Sequence, residues 1–584
     1  MSLLAASLSF ASHDAAEAVG DQSDPVQLLE AVQRCAEKTL IFTQAGGIYV
    51  PSKYRTVLTF IEDSIHEVAA PNPEGIFHPK IWALRFTDDD GALHHRLIVL
   101  SRNITQDQAW DTALVLDEMP DSADEDQPCL DAAPAAEFLR ALPGLTTRGL
   151  DRQRSRQVED LAATLSQVDL MLPEPFSDGE LLPIGLDGSD TWPFADMKAT
   201  KLLAVSPFLS PRAVTALKDM TPGTSSNKRT LLSSPVALDM LGPAITEGWQ
   251  LRVLPMTSTD TPDLTDREQE QPHVELETSN GLHAKTVVLD LPKRRSVIVT
   301  GSANLTGHPA WGRSVEFNVL LTGPTRECGV QAMLGTGAGK PGLEDLWESY
   351  APALEETAAQ QEHEAERKIE QWHLALASAR PVLDVRATGE TTVEATLRLD
   401  MPRAEIGTTM IWPISLTHHA KTLSSRVQWS RLSRLNVTPF LAVETTLGSG
   451  ATRVTRRRVI IAELSGEIEG RKHAAFREII KDKADVLKYL MLLLNEASYA
   501  ELVAEMDLVD SSSTGLAAVD PGRIFEDFAL FEPLVRAIGR DPETLVRIST
   551  LMEQLRAAPE AEDLVPAGLD ELWSTVWAIH AEVS

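Results

Sequence analysis

LHAKTVVLDL (residues 282–291) and VIVTGSANLT (297–306) read as two successive apolar strands with polar groups gathered where one begins and the other ends. In an extended strand, residues i and i+2 point to one face, so His283 and Lys285 aim an imidazole and an ammonium at one spot. Ser302 and Asn304 place two neutral donors in the turn after the second strand. WGRSVEFNVLL (311–321) then supplies Trp311, the acid Glu316 and a third strand.

The pattern occurs twice. FHPKIWALRF (77–86), LIVLSRNIT (97–105) and WDTALVLD (110–117) repeat it, pairing His78 with His283, Lys80 with Lys285, Ser101 with Ser302 and Asn103 with Asn304. Asn to Trp is seven residues in both copies (103 to 110, 304 to 311). The following acid, Asp111 or Glu316, falls 33 residues after its histidine in both (78 to 111, 283 to 316). Packing alone does not require polar groups to recur at matching structural points.

The residue types suit phosphoryl transfer. A histidine attacks phosphorus or shuttles a proton near neutral pH. A lysine stabilises the equatorial oxygens as charge builds on them. Ser and Asn are expected to donate to the same oxygens. A carboxylate on one imidazole nitrogen fixes the tautomer, the role expected of Asp111 and Glu316. One copy makes half a phosphate clamp. Two copies face to face put a nucleophile and a proton donor on opposite sides of phosphorus, and the two lysines make a metal or other cofactor unnecessary.

The second copy resembles the phospholipase D superfamily motif H-x-K-x4-D followed by G-S-x-N at every place: His283, Lys285, Asp290, Gly301, Ser302 and Asn304. The first copy departs from it at Arg85 and Leu100, which stand where Asp and Gly belong. The resemblance covers about 40–330 and implies two phospholipase D-like lobes, each a mixed sheet flanked by helices. It implies cleavage in two steps through a phosphohistidine on His78, with His283 protonating the leaving alcohol and then activating water.

The remaining chain reads as added modules. The expected boundaries are a first lobe at 1–117, an acidic linker and helical insertion at 118–190, and a second lobe at 191–350. A long helix and β-rich domain follow at 351–470, with a helical region at 471–584. DEMPDSADED (117–126) holds six carboxylates and reads as a solvated loop. Residues 354–379 read as one long exposed helix, and 471–498 as one amphipathic helix. The apolar run YLMLLL (489–494) is too short to span a bilayer and reads as a buried helix face. GTGAGKPG (335–342) lacks the first Gly and the Ser/Thr of a phosphate loop, so a flexible loop is expected. His94-His95 and His418-His419 lack the partners of a zinc site and read as solvent-facing. Trp82 and Trp110 fit either a site wall or a core.

The chain of 584 residues carries a net charge of −32, which argues against coating nucleic acid through overall charge. One stretch runs the other way. Residues 416–459 hold Lys421, Arg426, Arg431, Arg434, Arg453, Arg456, Arg457 and Arg458 against Glu444 alone. Arg453, Arg456, Arg457 and Arg458 are candidates for tracking a nucleic-acid backbone, or for pairing with acidic helices elsewhere. Three scattered cysteines form no disulfide or zinc pattern. The N-terminal stretch lacks the basic start of a secretion signal, so a cytoplasmic protein off the membrane is expected.

A nuclease on DNA or RNA, with DNA favoured, is the leading expectation. The resemblance to bacterial nuclease-type members further implies a helicase or another subunit of a DNA-processing or phage-defence system as partner. A phospholipase acting on lipid head groups and a catalytically silent nucleic-acid-binding scaffold are the alternatives.

Overall fold

The computed structural model describes residues 25–255, 281–494 and 530–583, with breaks at 52–53, 89, 104–108, 121, 123–126, 188–191, 224, 307–310, 312, 336–341, 354–357, 390, 403–405, 451–452, 469, 541, 557–563 and 566–567. The fold is mixed α/β. Most of the GTGAGKPG stretch lies outside the described residues.

An eight-stranded sheet carries the second motif copy. Its order is Glu348–Ser349, Gln250–Val253, Arg229–Leu232, Lys201–Val205, Thr286–Leu291, Arg295–Gly301, Glu316–Pro324 and Asp178–Ile184. The strands at 201–205, 229–232 and 250–253 are parallel, and their connecting helices Pro211–Asp219 and Pro235–Thr246 start on the side-chain caps of Ser210 and Ser234. The strand Thr286–Leu291 runs antiparallel to 201–205, with Thr286 opposite Val205. His283 and Lys285 therefore stand where the parallel strands end, the side on which open α/β sheets bind ligands.

The first copy lies on a smaller antiparallel sheet of Ile81–Thr87, Leu93–Leu100 and Ala113–Asp117. Beside it, Ile41–Gln44 and Ile65–Val68 form a parallel pair. One core joins both sheets: Leu97, Val99 and Leu116 from the smaller share it with Val205, Val288, Ile298 and Val319 from the larger.

The stretch expected as an acidic linker and helical insertion, 118–190, contributes to the shared core and to the large sheet. Its helices Ala133–Leu145 and Arg152–Leu165 pack into that shared core, with Phe138 meeting Phe317 edge-on at 5.2 Å. Residues 178–184 form an edge strand of the large sheet, paired antiparallel from Ile184 opposite Glu316 to Asp178 opposite Thr322. The N-terminal helix Pro25–Ala36 also departs from expectation. Its residues Val26, Leu29 and Val32 are buried with Leu545, Ile548 and Met552 from the far end of the chain.

Two four-stranded sheets, between residues 382 and 466, enclose a third core. The helix Ala358–Ser378 is not the exposed rod its charge suggests. Ile369, Trp372, His373 and Leu376 are buried at the i, i+3, i+4, i+7 spacing of an apolar stripe. Over its described residues, 471–494, the helix expected at 471–498 is two, Arg471–Ile479 and Lys483–Leu493; 495–498 lie outside the described residues. Asp482 adopts extended geometry between them and caps the second by accepting from the Asp485 N–H at 3.0 Å. The run from Tyr489 is buried at Tyr489, Leu490, Met491 and Leu493. No helix among the described residues is long and apolar enough to cross a membrane.

Candidate active site

The two motif copies meet by exchanging backbone pairs. Phe77 bridges Val315, and the His78 N–H donates to the Val315 carbonyl at 2.9 Å. Leu282 bridges Trp110, and the His283 N–H donates to the Trp110 carbonyl at 2.8 Å. Each histidine is thus held beside the residue that precedes the other copy's acid. The approach is close: a Cβ on Gly75 would stand 1.8 Å from the Arg313 carbonyl oxygen, so only glycine fits there.

Inside each copy the same bonds recur. The Ser101 N–H donates to the Thr112 carbonyl at 2.9 Å, and the Thr112 N–H donates to Ser101 Oγ at 2.8 Å. In the second copy the Ser302 N–H donates to the Phe317 carbonyl at 3.1 Å, and the Phe317 N–H donates to Ser302 Oγ at 2.9 Å. Lys80 Nζ donates to the carbonyl of His78 at 3.2 Å, and Lys285 Nζ to that of His283 at 2.8 Å. Lys285 also crosses between copies, donating to the Ser101 carbonyl at 3.1 Å. Lys80, Lys285, Ser101, Ser302 and Glu316 are all buried, whereas His78 and His283 are partly open to solvent.

The acid that orients His78 comes from the other copy. Glu316 lies 3.1 and 3.2 Å from His78 Nδ1 through its two oxygens. Its carboxylate also accepts from the Ser302 hydroxyl. The single proton of Ser302 is therefore spent on Glu316, so this serine positions the acid rather than binding phosphate, as its motif position suggested. With the Nδ1 proton held by Glu316, Nε2 is the free base of the ring. Lys80 Nζ donates to it at 2.6 Å, a place that a phosphate oxygen can take over. Burial, then the Lys80 charge, holds the His78 pKa below its ordinary value against the opposing pull of Glu316, and Lys285 lowers it further. The ring is neutral at neutral pH.

The pairing is unequal. Asp111 and Asn103 are exposed, and Asp111 makes no contact like that of Glu316 among the described residues. Asn304 lies 3.5 Å from the Ser206 hydroxyl through Oδ1, and its carbonyl accepts from Trp311 Nε1 at 2.8 Å.

The departures in the first copy have local reasons. Asp290 is a fastener in the second copy: its buried Oδ1 accepts from Ser296 Oγ at 2.8 Å and from the Val330 N–H at 2.9 Å. Arg85 fastens its own strand differently, donating to the Asp160 carbonyl at 2.9 Å and Thr164 Oγ1 at 3.3 Å on the helix Arg152–Leu165. Gly301 has φ +149° and faces Asn318, where a Cβ would stand 2.4 Å from the Phe317 carbonyl. Leu100 faces the small Ala113 and has room.

Asn318 is a residue the motif did not flag. It is buried, and its Oδ1 accepts from the Ala303 N–H at 3.0 Å, pinning the Ser-Ala-Asn turn. The available signal was its place two residues after Glu316, on the same strand face.

Other expectations change. His95 is buried rather than solvent-facing, between Glu118 at 2.8 Å and Thr164 at 2.9 Å; His94, His418 and His419 are exposed. Trp110 packs on the shared core while its backbone serves the site. Arg456 and Arg458 are drawn to Glu362, Glu366 and Glu370, one acidic face of the helix Ala358–Ser378. Arg457 pairs with Glu444. Three of the four arginines proposed for a nucleic-acid backbone thus meet carboxylates of this chain. Arg453 is exposed.

No protein-family model, curated protein or solved structure matches the chain.

Proposed function

We propose that the chain is a phosphodiesterase of the phospholipase D type, with the two motif copies as halves of one site, and that its substrate is nucleic acid. The observation that carries the reading is the reciprocal exchange: His78 is bound to Val315 and oriented by Glu316, while His283 is bound to Trp110. His78 Nε2 attacks phosphorus and forms a phosphohistidine as the ester oxygen leaves with a proton from His283. His283 then takes a proton from water, which displaces His78. Lys80 and Lys285 neutralise the oxygens throughout, so the reading needs no metal ion. The choice of nucleic acid rests on the resemblance to nuclease-type members.

The test is incubation with plasmid, single-stranded DNA, RNA and phosphatidylcholine, all in EDTA. Nucleic-acid cleavage that disappears in His283→Ala is the expected result. Choline release in place of it would transfer the site to lipid. Binding of nucleic acid without turnover would make the chain a silent scaffold. Trapping a labelled phosphate adduct on His283 rather than His78 would reverse the two histidine roles.

A further inference from the structure

An exposed aromatic ring stands on a rigid loop at the His283 side of the site. Phe208 is 39% exposed, and it follows the strand Lys201–Val205, whose last residue faces Thr286, next to Lys285. Both sides of the loop are fastened. Ser206 Oγ donates to the Phe208 carbonyl at 2.7 Å and accepts from the Leu305 N–H at 3.1 Å. The Ser210 N–H donates to the Leu305 carbonyl at 2.7 Å, and Leu209 bridges Leu305. Ser233 Oγ donates to the Ser206 carbonyl at 2.6 Å, and Ser234 Oγ to that of Pro207 at 3.0 Å. The segment therefore runs alongside Asn304 and Leu305, directly after the phosphate motif. The fastened backbone holds Phe208 in this exposed place beside the motif turn.

The chemistry assigns the two sides. In-line displacement by His78 places the departing oxygen opposite it, next to His283. Whatever is attached to that oxygen lies on the Phe208 side. We propose that Phe208 stacks on the base of the leaving nucleotide, and that the substrate is single-stranded or locally unpaired nucleic acid, because a base within a duplex has no free face to offer. This inference rests on the reading of the site as a nuclease with His283 as proton donor.

The experiment uses the full chain and a dT oligonucleotide with one phosphodiester, every other linkage being a methylphosphonate. A second oligonucleotide lacks the base on the leaving side of that bond, and a third lacks the base on the other side. Products identify which side leaves. Phe208→Ala should raise KM roughly 10-fold on the first and third, as expected for one lost stacking contact, and leave the second unchanged. Phe208→Trp should restore KM and Phe208→Leu should not. Wild type should cleave single-stranded DNA faster than the same sequence as duplex. Equal KM for wild type and Phe208→Ala on all three would overturn the stacking role while leaving the nuclease intact. A loss that follows the other base would place the leaving group beside His78 instead. Wild-type inactivity on every nucleic acid would remove the nuclease reading itself.

Discussion

At the scale of single residues, Glu316 is the group on which most of the site's geometry converges. It touches His78 Nδ1 and the Ser302 hydroxyl, and it is buried. Under the proposed mechanism, Glu316→Gln should lower kcat by up to about 10⁴-fold, the loss expected when an acid that orients a catalytic imidazole becomes an amide. The carboxylate also raises the His78 pKa. Under the proposed mechanism, in which neutral His78 attacks, its removal should therefore move the acidic limb of the kcat/KM profile to lower pH. A limb that stays in place would show that Glu316 does not act on the titrating group. Asp290 has a different kind of importance. Replacing it with Ala leaves the Val330 N–H without its acceptor inside the protein. That should cost about 1–3 kcal/mol in a urea melt, with kcat for the folded enzyme nearly unchanged. Arg85→Ala, at an exposed site, should cost less than about 1 kcal/mol, although both positions belong to the same motif place.

Among elements, the long helix Ala358–Ser378 decides what the arginine-rich strand does. The acidic residues Glu362, Glu366 and Glu370 lie four apart, hence on one helix face, and that face meets Arg456 and Arg458. Arg458 is buried and also lies over the Tyr49 ring at 4.2 Å. Changing Arg456, Arg457 and Arg458 together to Ala should lower the melting temperature and leave both DNA affinity and its dependence on salt unaltered. A reduced salt slope in a binding titration would return these residues to a nucleic-acid interface. The same helix shows what sequence reading reaches. Its existence follows from an unbroken run without helix breakers, but the burial of Trp372 and His373 depends on a sheet formed by residues far along the chain. Likewise His-x-Lys and Ser-x-Asn were legible because strand alternation and turn chemistry are local. That Glu316 serves the histidine of the opposite copy was not legible, because equal spacing within each copy is compatible with either partner. The edge strand Asp178–Ile184 was missed because a strand at the border of a sheet needs only weak alternation.

For the whole molecule, the turn at Ala45–Gly46 is the joint between the first motif copy and the strand sandwich. Gly46 has φ +65°, and a Cβ there would stand 2.5 Å from the His373 carbonyl oxygen. Its N–H donates to Glu67 Oε1 at 3.0 Å, while Glu67 Oε2 accepts from the Ile461 N–H at 3.2 Å. Two titratable groups are therefore buried across this joint. Burial pushes Glu67 up to about 7, with the Gly46 and Ile461 N–H groups and the Arg148 charge opposing it. Burial, helped by the Arg458 charge, pushes His373 down to about 3. Their signs are opposite. Glu67 contributes stability that is fully present below about 4.5 and is lost as pH rises through about 7. His373 contributes stability that is present above about 6.5 and is lost as pH falls towards about 3. Between about 4.5 and 6.5 the two slopes cancel, so this joint is most stable in that window and weakens on both sides of it. Hydrogen exchange across residues 41–48 and 454–461, followed from pH 4 to 8 and corrected for the intrinsic exchange rate, should show its greatest protection there. Gly46→Ala should lower protection of both segments at every pH, through the strained φ and the contact with His373, without altering the shape of the curve. Protection that keeps rising beyond pH 7 would mean that Glu67 is ionised in the folded joint and that its two N–H donors suffice to hold the charge.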